Sequence, residues 1–285
     1  MTPQPLATST AKRNVRLFMA FRILFNIRFY YPVFMVMFLR YGITLEQFGL
    51  LNAVWAVVIV LLEVPSGALA DILGRKALLV AAAIMMTIEM LLLAVVPIGS
   101  SWVFPALLLN RVLSGAAEAF ASGADEALAF DSLKAVGKDG DWPRVLERLM
   151  QVGGLATIVA MVTGSLVYSP DLIQEASDWA GYNASITLDD TFRLPVWLTF
   201  FSGCGAILVT LAMRELPREE SAKHVTLLDP FKQTFKTGRW ILTNPMVLIV
   251  IAAGVLFDQP IRQLLVVSSQ LYARIDIPVL YFGVI

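Results

Sequence analysis

Seven apolar runs dominate this chain: Val15 to Leu39, Leu45 to Ala70, Ala77 to Val96, Trp102 to Leu133, Leu149 to Tyr168, Pro195 to Met213 and Trp240 to Leu271. Crossing the ~30 Å hydrocarbon core of a bilayer takes about 20 helical residues, so each run is expected to form a membrane helix. An eighth run opens at Pro278, but at 1.5 Å per residue its length to Ile285 reaches only about 12 Å. The sequence is therefore expected to stop inside a helix. Hydrophobic residues make up 58% of the chain and charged ones 15%, against roughly 25% charged in soluble domains. These features predict an all-α, multi-pass membrane protein. Net charge is zero and the bases are dispersed over short loops, which speaks against a nucleic-acid surface. Cys204 is alone in the chain and reads as a small packed residue. The first 14 residues lack the short apolar core and small-residue cleavage site of a secretory signal, so the first run is read as a retained membrane helix.

Lysine and arginine set the orientation. With the N-terminus inside, the inner segments hold 15 of the 22 basic residues, and the outer loops hold only Arg40, Arg193 and Arg274. The positive-inside rule predicts an integral protein of the cytoplasmic membrane with its N-terminus in the cytoplasm. The loop from Pro170 to Thr191, rich in aspartate, then faces outward, and its Asn183-Ala-Ser185 is formally a glycosylation sequon.

After six spans comes a polar stretch, Arg214 to Thr243, longer than any other inner loop. Within it Leu227, Leu228, Phe231, Phe235 and Trp240 recur at helical spacing between bases, as in a helix lying in the membrane interface. The single histidine, His224, reads there as a solvated loop residue. The predicted organisation is a six-helix bundle over 1–213, a cytoplasmic linker with an interfacial helix over 214–239, and the start of a second bundle over 240–285. Shifting span one by 234 residues supports it, aligning Arg28 with Arg262, Arg40 with Arg274, Phe48 with Phe282 and Gly49 with Gly283.

A charged turn separates spans two and three, Gly67-Ala-Leu-Ala-Asp71-Ile-Leu-Gly74-Arg75-Lys76. The glycines are expected to allow close helix approach and a tight reversal. Span four carries Arg111, Gly115, Glu118, Ser122 and Asp125 at steps of four, three, four and three, which predicts one polar helix face turned away from lipid. Asp125, Glu126 and Asp131 fall toward the inner end of that helix, where the dipole disfavours acids, so they call for cationic partners, with Arg75 the natural one for Asp131. Arg28, Glu63 and Glu89 are embedded in spans one to three, and Asp258 and Arg262, four apart in span seven, are placed to pair.

The Gly-x-Leu-Ala-Asp-x-x-Gly-Arg-Lys turn resembles the signature loop of the major facilitator superfamily of solute transporters. Arg111 followed four residues later by Gly115 resembles that superfamily's fourth-helix motif, associated with proton coupling, and the Glu63-Val-Pro-Ser-Gly67 and Ser122-Gly-Ala-Asp-Glu-Ala127 runs resemble a group of prokaryotic drug exporters. Span five has Gly153-Gly154 and Gly164-Ser165 without the proline of the antiporter pattern. The resemblance implies a major facilitator fold, here a complete N-terminal six-helix bundle plus the beginning of the C-terminal one. It implies alternating access around a midplane site, with protons and a small, drug-like molecule as cargo, lipid as surroundings and a monomer at full length.

On that basis Gly67, Asp71, Gly74, Arg75, Lys76 and Asp131 are expected to form a cytoplasmic gate, or else a loop that only sets orientation. Arg111 and Glu118, with Asp125, Glu126, Arg28, Glu63, Asp258 and Arg262, line the proton or substrate path, or else hold helices together as ion pairs. Proton-coupled export is the leading expectation. Metabolite uptake by symport or facilitation, and a non-transporting fragment or membrane interaction partner, stand as alternatives. No enzymatic chemistry, cofactor or metal ligand set is expected.

Overall fold

The computed structural model describes residues 5–181, 185–215, 236 and 239–285, with side chains left out for residues 5–8 and parts of the last helix. Asn183, His224 and nearly all of the proposed interfacial helix lie outside the described residues. The described chain is all-α: α1 Pro5–Asn26, α2 Phe34–Arg40, α3 Leu45–Leu73, α4 Arg75–Val95, α5 Val103–Ala121, α6 Ala124–Lys134, α7 Trp142–Tyr168, α8 Pro170–Trp179, α9 Leu188–Thr191, α10 Leu194–Ala212 and α11 Pro245–Arg274. Among the described residues, six segments are long and apolar enough to cross a membrane, from Ser9–Arg40 to Leu188–Ala212. The chain is thus a multi-pass helical membrane protein in outline. α11, the seventh expected span, runs for 30 residues.

Two expected spans are not single helices. Span one breaks between Asn26 and Tyr31 and resumes through a short 3-10 turn, Tyr31–Val33. Pro32 is the cause: it has no N–H to give the Arg28 carbonyl four residues back, and its ring crowds that carbonyl. The Phe29 N–H, freed from the helix, instead donates to Thr199 Oγ1 of α10 at 3.1 Å. α7 lies hard against this break, since a side chain added at Gly164 would run into the Phe29 carbonyl.

Span four breaks as well. Ser122 ends α5, and Gly123 takes the left-handed conformation at φ +73° before α6 begins, a geometry that glycine adopts without the clash a Cβ brings. The single polar face expected from Arg111 to Asp125 is therefore two faces on two helices. Arg111 and Gly115 are buried on α5, Glu118 is half-buried, Ser122 is exposed, and Asp125 is buried on α6. α3, by contrast, continues past Pro65 as one helix.

α4 is the axis of the bundle, packed on α3, α5, α6 and α10. Two apolar clusters form along it. One, at the Arg75 end, gathers Phe21, Phe25, Leu79, Met86, Ala117 and Leu128. The other, at the Tyr41 end, gathers Tyr30, Phe34, Phe38, Met90, Leu93 and Leu107. Between these clusters, span one, α4 and α5 each bury polar or charged side chains: Arg28, Glu89, and Asn110, Arg111 and Ser114.

The 234-residue repeat recurs in geometry. Gly42 and Asp276, equivalent on that register, are both left-handed, at φ +93° and +57°. Phe38 meets Phe48 edge-on at 5.7 Å, and the equivalent Tyr272 meets Phe282 edge-on at 5.3 Å. Ser269, the counterpart of Met35, accepts a hydrogen bond from the Met35 N–H itself at 3.2 Å. A residue touching its own counterpart is what a twofold axis between two copies produces.

Candidate functional site

Three tiers of charge run through the bundle. At the Arg75 end, Gly74 turns the chain at φ +98°, and Arg75 on the first turn of α4 is ion-paired with Asp131 of α6. Lys76 and Arg13 donate to the Leu211 and Ala212 carbonyls at 2.8 and 2.5 Å, so bases of α4 and α1 satisfy the open carbonyls that end α10. Glu215 caps the start of α4 by accepting the Arg75 backbone N–H at 2.8 Å, where a carboxylate is favoured by the helix dipole. Asn14 grips the same stretch, exchanging bonds with the Arg214 backbone at 2.6 and 3.1 Å. Asp71 lies on the exposed face of the last turns of α3. Gly67 is exposed, and a Cβ there would meet nothing within 4 Å, so the expected close approach does not occur at that glycine. It occurs at Gly115, whose Cβ would come 2.8 Å from the Trp55 carbonyl. Gly153 and Gly154 are likewise open, whereas Gly164 is crowded.

The middle tier joins α1 to α6. Arg22 reaches Asp125 at 2.9 Å and Glu126 at 3.1 Å, and Asp125 turns its other oxygen to the Glu126 N–H at 2.7 Å. The expectation that these acids suffer the helix dipole is overturned by the break at Gly123. They stand in the first turn of α6, where the dipole favours them. Beside them is a cavity of about 450 Å³ lined by Arg22, Ile59, Glu63, Glu118, Ser122 and Glu126. Glu63 is exposed on α3 and accepts from Ser122 Oγ at 3.5 Å.

The third tier is buried. Arg28, presented by the break in span one, donates to Glu89 Oε1 at 2.9 Å, with side chains 6% and 0% exposed. Asn110 donates to the Glu89 backbone carbonyl at 2.8 Å and accepts from Arg111 Nε and Nη2 at 2.9 and 2.7 Å. The Arg111 guanidinium lies over the rings of Phe34 and Phe38, 5.5 and 5.1 Å from their centroids. No described carboxylate lies within 4.0 Å of it, so the amide and two aromatic faces hold its charge.

Of the residues singled out from sequence, Arg75 meets Asp131, Asp125 meets Glu126, and Glu63 and Glu118 share a cavity. Asp258 and Arg262 fall within α11, but their side chains lie outside the described residues. Sequence reasoning passed over Arg22, Asn110 and Glu215, and left Glu89 outside the site. Arg22 carried a signal, being a base in an apolar run, while Asn110 and Glu215 carried none before the fold joined them to distant partners.

No protein-family model matches the chain, and no curated protein matches it.

Proposed function

We propose that this chain is a transporter of the major facilitator type, moving a small molecule against protons by alternating access across the cytoplasmic membrane, with its N-terminus inside. The observation that carries the reading is the succession of charged tiers, Arg75–Asp131, Arg22–Asp125/Glu126 and Arg28–Glu89, along helices long enough to span a bilayer. Ionisable groups inside a membrane segment are costly, and three levels of them on kinked helices describe a path for charge rather than a clamp at one depth. The 234-residue geometric repeat supports parallel halves related by an axis along the membrane normal, the arrangement of such carriers. In this reading the Arg75 end is cytoplasmic, Arg75 and Asp131 belong to a gate with Asp71, and Arg111 and Glu118 couple protonation to conformation. Cargo is a drug-like molecule moved outward, and the protein acts as a carrier rather than an enzyme.

The test is flux in proteoliposomes with and without an imposed pH gradient, using a panel of fluorescent organic cations and anions. Gradient-dependent movement of at least one panel member is expected. Equal flux under both conditions refutes the proton coupling, and no flux of any member above protein-free vesicles refutes the transporter reading.

A further inference from the structure

We propose that Glu89 is the group that carries the coupled proton, with Arg28 as its positioning partner; the proposal rests on the transporter reading above. Glu89 is fully buried on α4. Its Oε1 accepts from Arg28 at 2.9 Å, whereas its Oε2 is buried and accepts no hydrogen bond within 3.5 Å among the described residues, with the Ser114 hydroxyl as the side-chain donor beside the carboxyl. A pair built only to hold helices would use the arginine fork on both oxygens, since a buried acceptor left unmatched costs stability. Here one oxygen is held and the other is open to a proton.

The surroundings fit that role. Span one turns Arg28, Tyr30 and Tyr31 toward this level, and α5 supplies Asn110, Arg111, Ser114 and Glu118. α10 carries no acid or base along its length. The carboxylates of α3 and α6 stand elsewhere: Glu46 opens α3 near the Tyr41 end, while Glu63, Asp71, Asp125, Glu126 and Asp131 lie toward the Arg75 end. The step is a simple transfer. Hydronium gives its proton to Oε2 and leaves as water, the carboxylate becomes a neutral acid, and the reverse step returns the proton to water on the other face.

Loss of the Glu89 charge removes the partner of Arg28, and Glu118 is the other carboxylate acting on that guanidinium. Arg28 sits at the break in span one, and one turn beyond the break Met35 and Val36 direct their N–H groups to Ser269 of α11 at 3.2 and 3.4 Å. A proton arriving on α4 thereby changes what holds the joint that touches the second repeat.

The experiment compares wild type, Glu89→Gln and the double variant Arg28→Met/Glu89→Met, each reconstituted in lipid. Replacing both members of a buried pair by apolar residues of similar volume is often neutral for folding, so the double variant separates charge from packing. Infrared difference spectra between acid and alkaline pH read the C=O stretch of a protonated carboxyl group. Vesicles supplied with ethidium read accumulation driven by a pH gradient. Expected are folded variants, a titrating carboxyl band in wild type that is missing from both variants, and at least a tenfold loss of gradient-driven accumulation in both. The proposal is overturned if the band persists in Glu89→Gln, if either variant accumulates ethidium like wild type, or if neither variant folds, which would make the pair structural. Should wild type move no ethidium under any gradient, the transporter reading fails for this probe and the infrared band alone decides whether Glu89 takes up a proton.

Discussion

Arg22→Gln tests the middle tier most sharply. Asp125 has no exposed side-chain surface, while Arg22 is one-third exposed. Removing one partner of a buried pair typically costs about 3–5 kcal/mol because the other charge is stranded. Two features of this site reduce that figure: Arg22 reaches solvent, and Asp125 keeps the Glu126 N–H and its place at the start of α6, where the dipole is worth ~0.5 kcal/mol. The expected loss is therefore about 2 kcal/mol, which is roughly a thirtyfold shift in the folded-to-unfolded ratio. The Arg22–Glu126 contact adds little, since Glu126 is 42% exposed and exposed pairs contribute about 0–1 kcal/mol. Glu126→Gln is accordingly expected within about 0.5 kcal/mol of wild type. Neutralising both members, Arg22→Gln/Asp125→Asn, should recover most of the loss and give a coupling of about 1.5 kcal/mol. Denaturant unfolding in mixed micelles, followed by tryptophan fluorescence, completes the cycle. A double variant as unstable as Arg22→Gln alone, with coupling under about 0.5 kcal/mol, refutes the assignment of Arg22 to Asp125.

Five other substitutions follow from the packing. Gly164→Ala places a methyl against the Phe29 carbonyl and should cost about 1–3 kcal/mol, whereas Gly153→Ala meets nothing and should stabilise by about 0.5–1 kcal/mol; thermal melts of the two in the same detergent give the contrast, and equal melts contradict it. Asp276→Gly relieves a left-handed non-glycine residue and should stabilise by about 1 kcal/mol, while Gly42→Ala at the equivalent turn should destabilise by a similar amount, read in the same melts. Glu215→Ala removes the cap on α4 and should cost about 1 kcal/mol, visible as faster amide exchange at Arg75 to Ala77; unchanged exchange there rules the cap out.

The helices were legible in the sequence because lipid leaves an apolar run few alternatives; α4, α7 and α10 overlap the runs that announce them. The interruptions were harder to read. Pro32 and Gly123 are visible residues, but a proline and a glycine are both tolerated inside membrane helices, as Pro65 in α3 illustrates, and only the neighbours decide. At Phe29 it is Thr199 that makes a break affordable. The pairing of charges was the least legible part. A step of three or four predicts a shared face only while the helix continues, so Gly123 separated Asp125 from Arg111. The partner of Asp125 is 103 residues away and the cap of α4 is 140 away, distances over which periodicity says nothing. Arg75 and Asp131 could be matched from sequence because both sit at ends of spans on the same side.

The break in span one also has a mechanical consequence. The Phe29 N–H is bonded to a side chain of α10 rather than to its own helix, and Ser202, one turn along α10, bonds the Leu24 carbonyl just before the break. α1, of 22 residues, and α2, of 7, are two rods spliced by a third, and flexing at the splice ruptures no ladder bond within either rod. Bending there is cheap where bending α4 is dear, so span one can hinge at the splice while the continuous α4 keeps the two apolar clusters in register.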